Sequence, residues 1–183
     1  MKVGRGFVAA VCKYREVLAG QFVFLFNPAD PSGLPYAGQW NRDQENVVAR
    51  HMFVGGGTEP AATAIDLGFG TSFTAFADSR PGKNPTWHQQ VTVSGPVNVT
   101  NPINTYGASG GTILYLVRGD SAQIPADLAA RGITADAARW FVETWEDQTL
   151  IAGPSTGSHR VRPSSPTEAH EYTWGRIKTV YVP

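Results

Sequence analysis

Twenty glycines and thirteen prolines punctuate a chain of 183 residues. Proline interrupts a helix and glycine weakens one, so this density favours many turns over long helices. What lies between the breaks is a series of short apolar segments. Residues 21–26 contain Phe22, Val23, Phe24, Leu25 and Phe26, and the cluster Asn27, Pro28, Asp30, Pro31 and Gly33 stops them. A helix needs ten or more residues, so this segment reads as a buried strand. Residues 47–54 form a second candidate strand, ended by Gly55, Gly56 and Gly57. Residues 64–69 and 72–77 follow, separated by Gly68 and Gly70, which mark a bend.

The middle of the chain has the clearest pattern. Apolar and polar residues alternate through residues 87–94 and 97–100 on either side of Gly95 and Pro96. Period-two alternation marks strands with one wet face. Residues 112–118 read as a strand buried on both faces, and residues 172–182 alternate again. The N-terminal residues 3–17 are also strand-like. Helical signals are confined to residues 124–132, with Pro125 in the first turn and Gly132 past the end, and to a second start capped by Thr134. Periodicity leaves residues 140–151 open between helix and strand. Residues 27–46 and 153–166 read as long loops.

These elements predict one all-β domain over residues 1–183: a single jelly roll, barrel or sandwich, of two antiparallel sheets with one or two short helices and long loops. The expected core includes Phe22, Phe24, Val48, Phe73, Val91, Val93, Ile113, Leu114, Leu116 and Val180.

Charge narrows the function. Fifteen basic and fifteen acidic side chains cancel, and charged residues are only 16% of the chain. Wrapping nucleic acid requires a basic surplus, so no sequence-specific nucleic-acid partner is expected. A neutral, charge-poor surface promotes association. No apolar run approaches the ~20 residues of a membrane helix, and no signal-peptide core follows the N-terminus. Cys12 is the only cysteine, so neither an intrachain disulfide nor a cysteine metal cluster can form. The expectation for Cys12 is a free, packed thiol, with an intermolecular bridge as the alternative.

Chemical motifs are sparse. Gly107, Ser109 and Gly111 match the Gly-x-Ser-x-Gly pattern, but a nucleophile elbow joins a strand to a helix, and here a strand follows. A turn between strands is the simpler reading. His51, His88, His159 and His170 stand at no metal-ligand spacing. Gly55 to Gly57 lacks the rest of a phosphate loop. The acceptor pattern at Asn98 and Thr100 has no secretory context. Trp40, Trp87, Trp140, Trp145 and Trp174 suit a core and subunit interface, with a sugar-stacking platform as the alternative. His159, Arg160 and Arg162 form a basic cluster read as a solvated loop. The chain is therefore not expected to be an enzyme. No catalytic, cofactor-binding or metal-binding residue is assigned, and no cofactor is expected.

In its length, in residues 21–31, in the alternating stretch 91–102 and in the closing segment 172–183, the chain resembles the smaller major capsid protein of tailless, internal-membrane icosahedral phages of thermophilic bacteria. Those phages build the shell from two different single-jelly-roll proteins. The resemblance implies a structural subunit of the virion capsid, made in the host cytoplasm. It would pack against itself, against a larger partner capsid protein and against an internal membrane surface. Homodimers or larger capsomers held by strand exchange are expected, with the N-terminal segment as the exchanged strand. The alternative is a lectin-like or carbohydrate-binding β-sandwich of a phage tail or adhesin.

Overall fold

The computed structural model describes residues 5–70, 73–119, 124–134, 136–149 and 170–183. Among the described residues ten strands form two sheets, accompanied by four α-helices and one 3₁₀ helix over Pro31–Tyr36. The first sheet has six strands: β1 (Leu18–Leu25), β2 (Gln39–Asn41), β4 (Ala75–Ala77), β5 (His88–Ser94), β8 (Gly110–Gly119) and β9 (Asp136–Thr149). Their order is β2-β1-β9-β8-β5-β4. The second sheet runs β10 (His170–Glu171), β7 (Thr105–Ala108), β6 (Val97–Thr100), β3 (Ala64–Leu67). The expected predominance of strands in two sheets is found. The expected purely antiparallel pairing is not, because β1 pairs with β9 and β10 with β7 in parallel.

Consecutive strands cross between the sheets at one corner. β5 passes to β6 through Gly95 and Pro96, β6 and β7 form a hairpin, and Ser109 returns the chain to β8. Gly95 has φ +151°, and a side chain there would meet the Gly68 carbonyl oxygen at 2.5 Å. The Gly95 amide donates to the Gly110 carbonyl at 3.0 Å and the Gly68 amide to the Pro96 carbonyl at 2.8 Å, tying both crossings together. The crowding explains why Gly and Pro fall here: only a residue without a Cβ lets three backbone segments approach this closely.

Three expected strand segments are helical. Residues 47–54 belong to α2 (Arg42–Val54). The Asn41 side chain accepts from the amides of Asp43 and Gln44, and the Gln44 side chain accepts from the Asn41 amide. This capping box satisfies amides that the first turn leaves orphaned. Glu45, Val48, Ala49 and Met52 then fall on one buried face at helical spacing. The N-terminal segment is α1 (Arg5–Glu16), which packs on α2, with Cys12 exposed rather than packed. The C-terminal alternation gives way to α4 (Trp174–Thr179), capped by the Thr173 hydroxyl, which accepts from the Arg176 amide. Conversely, the helix expected from Thr134 is replaced by β9, whose start pairs with β8 at Asp136 and Trp140 around an irregularity. Intrinsic helix propensity there yields to sheet pairing. The short helix α3 (Ala126–Ala129) falls within the segment expected to be helical.

The main core lies where α2 and α4 pack with the inner faces of both sheets. Phe22, Phe24, Phe26 and Trp40 are buried there. Phe24 meets Phe26 edge-on at 5.1 Å, and Phe26 meets Trp40 at 4.8 Å. Val48, Val91 and Val93 are buried as expected, whereas Ile113, Leu114, Leu116 and Val180 are half-buried and Phe73 is exposed. A second, smaller core under α3 joins Ala19, Val117, Leu128 and Phe141.

Candidate functional site

Among the described residues Lys178 of α4 stands out, because its ammonium is held inside the core. It donates to the Glu45 carboxylate of α2 at 2.8 Å, and the two side chains are 2% and 1% exposed. The same carboxylate accepts from the Trp40 indole at 2.7 Å and from the Tyr14 hydroxyl of α1. Nζ also lies 3.8 Å from the Phe24 ring centroid and 4.4 Å from that of Trp145. A cation surrounded by aromatic faces and one carboxylate recovers by cation–π attraction part of the hydration it loses. Burial pushes the Lys178 ammonium below the ordinary lysine range, against the opposing pull of Glu45. Burial, reinforced by the Glu45 charge, raises the Tyr14 phenol well above its usual value. The cluster joins α1, α2, α4 and the first sheet around one charge pair. Its polar atoms are spent on one another, which makes it a clamp.

The start of α4 is held just as closely. Asp147 of β9 accepts from the Gly175 amide at 2.6 Å, and Thr149 accepts from the Trp174 amide at 2.8 Å. Asp30 accepts from the Thr173 hydroxyl. At the far end the His51 ring donates through Nδ1 to the Tyr181 carbonyl at 3.0 Å, so the proton sits on Nδ1.

A second charged cluster lies among Asp78, Arg80, Lys83 and Glu143. Arg80 pairs with Asp78 at 2.6 Å and with Glu143 at 2.5 Å, Lys83 pairs with Glu143 at 2.8 Å, and the guanidinium lies 4.0 Å over the Tyr115 ring. Burial alone would raise both carboxyls, but Arg80 holds Asp78, and Lys83 with Arg80 holds Glu143, below the usual carboxylate values. The unfolded chain therefore binds more protons than the folded one as these groups titrate. The stability they add is complete above the ordinary carboxylate range and is lost as pH falls through the folded-state values. Arg80→Met is expected to be less stable than the natural chain at pH 7, and this difference should shrink at pH 3 in urea unfolding. A difference independent of pH would contradict this account.

Val91 and Val93 of β5 and Leu114 and Leu116 of β8, with Phe69 and Phe73, line an apolar groove of about 240 Å³. Beside it, β4 forms an edge strand of Ala75, Phe76 and Ala77, all exposed and uncharged. β3 is the corresponding edge of the other sheet, and its Leu67 is exposed. Leu67, Phe73 and Phe76 are 56%, 53% and 60% exposed.

The residues singled out in the sequence disperse. Ser109 sits between β7 and β8, strand to strand, without a following helix. His51 lies on α2 rather than on a strand, and His88 begins β5. His159, Arg160 and Arg162, with the loop 153–166, lie outside the described residues, as does the His170 side chain. Asn98 and Thr100 lie in β6. Trp40 and Trp174 are core residues and Trp145 is half-buried against them. Trp87 is exposed and shares the Arg118 guanidinium with Trp140, at 5.6 and 5.3 Å. Among the described residues no three His, Cys, Asp or Glu side chains converge as metal ligands, and no helix is long and apolar enough to cross a membrane. Sequence reasoning missed Glu45 and Lys178 altogether. The available signal was the helical spacing of Trp174, Ile177, Lys178 and Tyr181, all buried. No protein-family model matches this chain, and no curated protein or solved structure matches it either.

Proposed function

We propose that this chain is a structural subunit that assembles with copies of itself, and with a larger second capsid protein, into an icosahedral viral shell. In this reading it is a single-jelly-roll protein of the virion capsid, made in the host cytoplasm, with an internal membrane surface as a further neighbour. The observation that carries the reading is the bare edge strand β4 beside an apolar groove, with Leu67, Phe73 and Phe76 all exposed. Edge strands are ordinarily guarded by lysine, proline or other charges, because unpaired backbone groups invite pairing. β4 carries no such guard, and the chain has only four lysines. Exposed apolar surface of this kind marks contact with another macromolecule. Because the N-terminal segment is helical, it offers no strand for exchange, and the reading turns to the sheet edges.

Light scattering tests it. The natural chain is expected to be oligomeric at micromolar concentration. Phe76→Lys with Leu67→Lys should weaken association about tenfold or more, with an unchanged circular dichroism spectrum. A folded monomer for the natural chain, or equal association in the variant, would contradict it. The carbohydrate-binding reading rests on Trp87, exposed beside Arg118 and Trp140. It requires glycan binding that Trp87→Ala abolishes.

A further inference from the structure

An independent feature lies between α2 and the second sheet. A cavity of about 140 Å³ has a wholly apolar accessible wall. Ala49 and Met52 of α2 form one side, and Trp145 and Trp174 another. These two indoles stack at 6.2 Å with an interplanar angle of 27°. Lys178 and Glu45 also border the space, but their polar atoms are engaged by each other, Trp40 and Tyr14. Leu67 of β3 is the one exposed residue of its lining.

We propose that this cavity is a binding site for one small uncharged apolar molecule of about benzene's size. Interiors are normally packed without voids of this volume, and an unfilled one costs stability in proportion to its size. A cavity with no polar wall does not hold water, since each water needs two to four polar partners; apolar cavities of about 150 Å³ take up benzene. The volume is well below the 300–1,000 Å³ of sites for drug-sized ligands, which limits the ligand to a single ring or its aliphatic equivalent. A charged ligand is disfavoured because the wall offers no free counter-charge: the Lys178 ammonium and the Glu45 carboxylate are paired with each other, and the indole N–H groups of Trp145 and Trp174, buried without a partner, are neutral.

Toluene is the probe. Titrated into the full chain, it is expected to saturate at about millimolar concentration or below, to change the fluorescence of Trp145 and Trp174, and to raise the thermal midpoint as a ligand of the folded state does. Nuclear Overhauser contacts should connect toluene protons to the Met52 methyl. Ala49→Leu, which fills the cavity, should abolish saturation; if it does not fold, Val97→Ile should weaken binding. Absence of saturable binding would overturn the proposal. So would saturable binding with contacts only to Leu114 and Leu116 in the separate groove, or undiminished binding in a folded filled variant.

Discussion

Lys178→Met is expected to destabilise the protein by about 3–5 kcal/mol, because it leaves the Glu45 carboxylate buried without its counter-ion. The loss should appear as a lower urea midpoint at pH 7 with an unchanged slope. Two donors, the Trp40 indole and the Tyr14 hydroxyl, would still face Glu45, so the carboxylate would not be wholly abandoned. Removing the second charge should therefore recover stability. In Lys178→Met with Glu45→Gln, the amide oxygen still accepts a hydrogen bond and no net charge is buried. The double variant is expected to be more stable than Lys178→Met alone, since replacing a whole buried pair is often close to neutral. Equal or additive losses in the double variant would show that the pair is not the clamp described above.

Gly95→Ala is expected to cost about 3–5 kcal/mol, combining an unfavourable φ with overlap against backbone. The added methyl would meet the Gly68 carbonyl oxygen at 2.5 Å and its carbon at 2.9 Å, and neither can swing aside as a side chain does. Two controls separate the causes. Gly82 has φ +77° with open space around it, so Gly82→Ala should cost about 1 kcal/mol from backbone strain alone. Gly111 has its nearest neighbours at 3.7 Å and no positive φ, so Gly111→Ala should be nearly neutral. Thermal unfolding of the three variants checks the order. A Gly95→Ala loss no larger than that of Gly82→Ala would remove the corner crowding from the account.

Where period-two alternation meets a Gly-Pro break, the sequence was readable: β5, β6 and β8 lie within a residue or two of the segments that predicted them. Alternation misled in residues 172–182, because it coexists there with a helical spacing. Choosing the helix puts Lys178 in the core, which is unfavourable until Glu45, 133 residues away, is brought alongside. That partnership has no local signature. α2 was hidden for a different reason. Its start lies in Asn41 and Gln44, inside a stretch dense enough in turn residues to read as loop, and without the cap the apolar run 47–54 looks like a strand. β9 shows the converse: its start pairs with β8 and its later residues, from Val142, with both β8 and β1, and the strand prevails over a helical alanine-rich start. The candidate site was less legible than the fold. The groove joins β5 and β8 with Phe69 and Phe73 of the connection before β4, and no single segment encodes that meeting.

Sedimentation velocity of the natural 183-residue chain over a range of micromolar concentrations tests the assembly reading most directly. The account predicts species heavier than the 19.7 kDa monomer, growing with concentration and dissociated by Phe76→Lys with Leu67→Lys. A single folded 19.7 kDa species across the whole range would contradict it.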